Sequence, residues 1–277
     1  MSKKILLVSG HTSGHNRCRE TGVNEGDLNI ELVQLIQPIL SKYAAVTVYP
    51  CERDMYHDVR DGRCQVNFTD YDYIFEVHFN AGGGHGTSIQ IHSNYKGGIS
   101  VEQTVIDPRV AAFGFRKRGD NGSGIVRRSD LLNMNTALRK GVDYALIEVC
   151  FYDSAADLAI YQPNKGKIAQ AIATGIADAF GLTGTASQPS AQPTPAPAPA
   201  QSYTEWAGRV HDVDPVGLIV RTGPGKGYSR LACYPKLYDG NMISVMGEQS
   251  GYYHIRISNP VAGTHIGWVS KDYVSRG

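Results

Sequence analysis

The chain has 277 residues, enough for one sizeable core and a second, smaller one. Its 27 basic and 26 acidic side chains leave a formal net charge of +1, so it carries no basic footprint for nucleic acid. Hydrophobic residues make up 42%, ordinary for a globular protein. No stretch approaches the ~20 apolar residues of a membrane-spanning helix, so membrane insertion is not expected.

The chain starts MSKKILLVSGH, with an apolar run only at residues 5–8. A secretory signal needs roughly 7–15 apolar residues in its core. The expectation is therefore a chain made in the cytoplasm without an export signal of its own. Five cysteines, an odd number with no C-x-x-C pair, fit reduced thiols in that compartment.

In chain order, residues 4–9 read as an apolar strand. Residues 27–41 carry Leu28, Leu32, Leu35, Ile36 and Ile39 at helical spacing, with Pro38 a possible kink. Residues 45–49, 71–79 and 87–92 read as strands, rich in β-branched or aromatic side chains. Residues 99–115 predict a helix with a break at Pro108. Residues 145–151 form a nearly continuous apolar strand interrupted by Glu148. Residues 167–180 predict a helix, with Ile168, Ile172, Ile176 and Phe180 every fourth residue and Gly181 as its stop.

Strands alternating with helices predict an α/β domain, a mixed or largely parallel sheet covered on both faces. Residues 182–202 are dominated by Pro, Ala, Ser, Thr and Gln and read as a semi-rigid linker. That divides the chain into domains 1–181 and 203–277. The second shows only short β runs, at 217–221, 242–246, 252–257 and 265–269, between turn signals such as Asp239-Gly240 and Ser250-Gly251. A small β-barrel or sandwich is expected.

Sites in open α/β sheets gather at the carboxyl ends of strands. His11 follows the first strand, His78 lies near the end of YIFEVHFN, and Glu148 interrupts YALIEVCF. Glu25 precedes the first helix, where a short loop can turn it to the same rim. Two histidines and a carboxylate are a catalytic zinc set. Apolar neighbours raise a carboxylate's pKa, which suits Glu148 to general acid–base work. His15 and Cys18 also offer donor atoms in the first loop, but without the paired spacing of a structural zinc site.

Four stretches occur in order: SGH at 9–11, NEGDLNIEL at 24–32, EVHFNA at 76–81 and ALIEVCFYDSAAD at 145–157. Together they resemble the zinc-dependent N-acetylmuramoyl-L-alanine amidases of the Amidase_3 type, over roughly residues 4–181. The resemblance implies that His11, Glu25 and His78 bind Zn2+ and that Glu148 is the catalytic carboxylate. The scissile bond would be the amide between N-acetylmuramic acid and L-Ala in bacterial peptidoglycan. Asn80 and His85 beside the His78 strand, and Arg128 in RGDNGSGIVRRSDLLNMN, are candidate substrate contacts. The chain departs from the family in having Ser9 and Thr12 around Gly10-His11, where an acidic residue is usual, and Phe79 after His78.

The stretches LIVRTGP, GYYHIRI and GWVSKDYV resemble a bacterial SH3-like domain over roughly 207–275. That resemblance implies wall binding, with Tyr228, Tyr234 and Tyr238 as candidate contacts. Tyr252 and Trp268 suit a core equally well. The expected whole is an endolysin-type hydrolase of phage or prophage, tethered to the cell wall by its second domain. Its rivals are a zinc peptidase cutting another wall bond and a non-catalytic wall-binding protein.

Overall fold

The computed structural model describes residues 2–183, 204–213, 216–228, 231, 236–259 and 263–277. The chain divides into two compact units, residues 1–188 and 189–277. The expected linker at 182–202 lies, beyond residue 183, outside the described residues.

The first unit is built on six strands: β1 (Lys4–Ser9), β2 (Ala45–Val48), β3 (Tyr73–Asn80), β4 (Ser88–His92), β5 (Ile125–Arg128) and β6 (Asp143–Phe151). They lie in the order β2-β1-β3-β6-β4-β5. β2, β1, β3 and β6 run parallel, and β4 turns antiparallel against β6 with β5 parallel to it. The sheet is therefore mixed. Among the described residues, five α-helices cover it: α1 (Glu25–Leu40), α2 (Met55–Arg60), α3 (Ser100–Val105), α4 (Leu132–Lys140) and α5 (Ala155–Ala179).

Side-chain alternation sorts the two faces. Ile5, Leu7, Phe75, Val77, Ile147 and Val149 join Leu32 and Ile36 of α1, Val105 of α3 and Ile172 of α5 in the larger core. Leu6, Val8, Ile74, Tyr144 and Leu146 point the other way, to Met55 of α2 and Met134 of α4. That second face is thinly covered. Among the described residues, no helix is long and apolar enough to cross a membrane.

Several elements depart from the sequence reading. α5 starts at Ala155, not near residue 167, and runs through Pro163. Fully buried Tyr161 and Ile168 on either side of the proline anchor both halves to one core, so packing outweighs the breaker. Its end is as read, with Gly181 at φ +64°. Over 99–115 the chain breaks at Pro108 as read, with Asp107 in extended backbone at φ −131° and ψ 118°; α3 itself ends earlier, at Val105. α2, α4 and β5 are short and weakly apolar and gave no periodic signal. Cys18, Cys64 and Cys150 are free thiols, but Cys51 is disulfide-bonded, which corrects the expectation that all five are reduced.

The second unit is all-β and antiparallel. Its strands are β7 (Trp206–Val210), β8 (Leu218–Ile219), β9 (Lys236–Leu237), β10 (Met242–Gln249), β11 (Tyr252–Asn259), β12 (Gly263–Ser270) and β13 (Val274–Arg276). Five form a sheet in the order β12-β11-β10-β7-β13, and β8 pairs with β9. Val210, Val220, Leu237, Val245, Ile255 and Val269 fill its core.

Ile172 is fully buried between α5 and the sheet. Ile172→Ala is expected to lower the stability of the first unit by about 2–5 kcal/mol, read from urea unfolding followed by circular dichroism.

Candidate active site

β1 ends at Ser9, and the Gly10 amide continues its ladder by donating to the Val77 carbonyl of β3 at 2.9 Å. Gly10 must be glycine there. A Cβ would lie 2.0 Å from Nε2 of His78. The close approach places His11 beside His78, with ring centroids 4.9 Å apart and edge to face.

Glu25 opens α1, where the helix dipole favours a negative charge. Its two oxygens face the two histidines: Oε1 lies 2.9 Å from His78 Nδ1 and Oε2 lies 3.5 Å from His11 Nε2. Asn16 Nδ2 donates to Oε2 at 2.7 Å. The donor atoms of His11, Glu25 and His78 all lie within 4.8 Å of one another, a set that could hold a metal ion. Two imidazoles and one carboxylate, with an open side, match the donor chemistry of a catalytic zinc centre.

The outer nitrogen of each histidine meets a carboxylate. Asp54 Oδ2 lies 3.2 Å from His11 Nδ1, and Glu76 Oε1 lies 3.0 Å from His78 Nε2. Asp54 also caps α2, accepting from the Tyr56 and His57 amides. Burial pushes the Glu25 carboxyl up, but His78, His11 and Asn16 outweigh it and hold it down at about 2. Burial likewise disfavours a charged His78, yet Glu25 and Glu76 raise its pKa well above the ordinary value.

Glu148 pairs in register with His78 across β3 and β6, and the register shifts just beyond, between His78 and Asn80. Burial is the main cause that pushes its pKa up to about 7; the nearby charge of Glu25 adds to it, while His78, Arg128 and Arg118 oppose it. Gln90 Nε2 donates to Oε1 at 3.3 Å, whereas Oε2 is buried without a hydrogen-bond partner among the described residues. Arg128 Nη1 donates to Gln90 Oε1 at 3.0 Å, and its Nε donates to Asp130 at 2.6 Å.

These groups line a cleft of ≈ 350 Å³ that holds His11, Glu25, Glu76, His78, Glu148, Asn80 and Arg128, with Leu131 and Leu132 along one wall. Asn80 and Arg128, expected as substrate contacts, are thus in the cleft. His85 is not among its lining residues. Its loop is tied to the start of α5: Asp153 accepts from the Gly82 and Gly83 amides, Asp157 from the Gly86 amide, and His85 Nδ1 lies 2.9 Å from Ser154 Oγ. His15 stacks on His11 at 4.6 Å but lies outside the cleft lining. Cys18 is buried in the core, and its thiol donates a hydrogen bond to Glu20 Oε2 at 3.1 Å.

Over residues 5–178 the sequence matches Amidase_3, the N-acetylmuramoyl-L-alanine amidase family. The chain belongs to this family. It is 26% identical over 194 residues to "Probable autolysin PH" of Staphylococcus aureus (strain NCTC 8325 / PS 47), a match over 63% of this chain and 38% of that protein. The chain thus spans little more than a third of that relative's length. The fold resembles the apo form of the N-acetylmuramyl-L-alanine amidase Ami1 from Mycobacterium abscessus, with a TM-score of 0.51 and 19% identity over 64% of this chain and 98% of that one. It also resembles the catalytic domain of CwlV, an amidase from Bacillus (Paenibacillus) polymyxa var. colistinus, with a TM-score of 0.52 and 16% identity over 65% of this chain and 99% of that one. At such identities the likeness is one of fold.

Sequence reasoning missed Asp54, Glu76, Gln90, Asn133 and Tyr144 at this site. Glu76 had a signal, because residues two apart on a strand share a face and Glu76 precedes His78 by two. Asp54 had none, being 43 residues from His11.

The second unit has a cleft of its own, ≈ 330 Å³, lined by residues that include Asp212, Arg221, Lys226, Tyr252 and Tyr273. Tyr228 and Tyr238 lie outside it: the Tyr228 ring packs on Gly223, and Tyr238 is half-exposed. Tyr234 lies outside the described residues. Trp268 stacks on His254 at 4.6 Å.

Gly10→Ala is expected to fold yet to displace the His78 ring, weakening zinc binding at least about tenfold by isothermal titration calorimetry, the scale of a disturbed ligand.

Proposed function

We propose that the chain is a zinc-dependent peptidoglycan amidase that cuts the bond between N-acetylmuramic acid and L-alanine. The observation that carries this reading is the convergence of His11, Glu25 and His78 beside partly buried Glu148 in one open cleft. Family membership supports the choice of bond.

A zinc ion held by the three side chains would supply Lewis-acid polarisation of a carbonyl and acidify water. The remaining chemistry falls to the chain. Glu148, pushed up to about 7, holds or releases a proton near neutral pH, as a shuttle to a leaving amine requires. Gln90 holds one of its oxygens and leaves the other, Oε2, free for that proton. Arg128, on the cleft wall, offers a cation to a carboxylate of the stem peptide. Leu131 and Leu132 supply apolar surface to the cleft.

The wall-targeting role of the second unit belongs to the same proposal. Its cleft combines two tyrosines with two cations and one carboxylate, the mixture of flat apolar surface and sparse charge that suits short peptides or glycans. A tethered binder raises the local concentration of an enzyme on an insoluble substrate. The two-unit plan supports an endolysin-type hydrolase, made in a host cytoplasm and acting on the wall after release.

Purified cell walls test the reading. Lysis is expected to stop with a chelator, to return with zinc, and to expose new amino groups on L-alanine. New D-amino-acid or reducing-sugar ends would instead point to a peptidase or a glycosidase. Glu148→Gln is expected to reduce lysis by about 10²–10⁴-fold while zinc stoichiometry stays unchanged. Full-length Tyr273→Ala is expected to sediment less with intact walls yet to cleave soluble muropeptides at the wild-type rate.

A further inference from the structure

We propose that Glu76 is a positioning residue that fixes the tautomer of His78, so that Nδ1 rather than Nε2 faces the metal position. Asp54 imposes the opposite choice on His11, whose Nε2 faces inward. The inference rests on the zinc reading above and deepens it.

The geometry is asymmetric. Glu25 addresses Nδ1 of His78 but Nε2 of His11. The far nitrogen of each ring is taken by a different carboxylate, Glu76 for His78 and Asp54 for His11. Without a metal, both nitrogens of each ring face a carboxylate. With a metal held by Glu25, the inner nitrogen would have to present its lone pair to it, and the proton would stay on the nitrogen that faces Glu76 or Asp54, since a carboxylate only accepts. A second carboxylate behind a ligating histidine also raises the ring's basicity.

Glu76 is built for this task. It is 4% exposed, on the thinly covered face of β3, two residues before His78. Its Oε1 goes to His78, while its Oε2 accepts from the Tyr144 hydroxyl on β6 and from Asn133 Nδ2 on α4 at 3.1 Å. Three elements therefore hold one carboxylate. A buried charge left without partners is costly, and among the described residues these two donors supply the hydrogen bonds to Oε2. Gly10 closes the other side of the ring, since any side chain there would meet Nε2. A flip of the His78 ring would put carbon atoms where its nitrogens are and break both contacts.

The test reads the metal site without relying on lysis. In zinc-loaded wild-type protein with ¹⁵N-labelled histidine, long-range ¹H–¹⁵N spectra are expected to show His78 protonated at Nε2 and His11 at Nδ1. His78 protonated at Nδ1 would overturn the proposal. Competition against a chromophoric chelator is expected to show Glu76→Gln binding zinc about 10–100-fold more weakly, with an altered cobalt absorption band. Unchanged zinc affinity and an unchanged cobalt spectrum would also overturn it, while leaving the zinc reading intact. Should Glu76→Gln not fold, Tyr144→Phe removes only one donor to Glu76, and the same two readouts decide. A wild-type protein that takes up no zinc at all would sink the zinc reading and this proposal together.

Discussion

Everything at the site depends on the alternation of side chains along β3. Tyr73, Phe75, Val77 and Phe79 are buried in the thick core beneath α1, α3 and α5. Ile74, Glu76 and His78 must then emerge on the opposite face, since a strand has only two. The apolar set cannot slip by one residue without exposing four large side chains, so the burial of the hydrophobic face is what aims His78 and Glu76. β6 repeats the constraint: Ala145, Ile147 and Val149 go inward, and Tyr144, Leu146 and Glu148 share the face of His78. Register between β3 and β6 then sets His78 against Glu148.

The thin covering of that face makes room for chemistry. α2 and α4 are short, and they leave the carboxyl ends of β1, β3 and β6 open as a cleft. Charges gather there at low exposure, which is tolerable because nearly all are paired. Glu25 lies between the two histidines, Asp54 caps a helix while it faces His11, and Glu76 has three partners. Glu148 is the exception. One of its oxygens is buried without a partner among the described residues, and burial raises its proton affinity. The group that departs from good packing practice is the one that the proposed reaction asks to move a proton.

Much of this was legible beforehand. Apolar runs and the polar residues interrupting them pointed to β1, β3 and β6 and to His11, His78 and Glu148. The order of four short stretches pointed to the family. What escaped the sequence is the supporting set. Gln90, Tyr144 and Asn133 look like ordinary residues of strands and helices until pairing and packing bring them together. His85 sits in a glycine-rich loop close in sequence to His78, yet Asp153, Ser154 and Asp157 draw that loop to the start of α5 and away from the cleft. In the second unit, aromatic content pointed to tyrosines; Tyr252 does line the cleft, with Tyr273, whereas Tyr228 and Tyr238 do not.

By itself, the sequence determined the element types of the long periodic segments, the apolar faces and the identity of the groups able to bind a metal or move a proton. These are local properties, set by side-chain period and chemistry. Tertiary structure decided which nitrogen of each histidine faces inward, which carboxylate stands behind it, and that α5 continues through Pro163. Those outcomes depend on contacts between residues tens of positions apart, Asp54 with His11 and Glu76 with Tyr144 among them, and no local pattern in the chain encodes such distances.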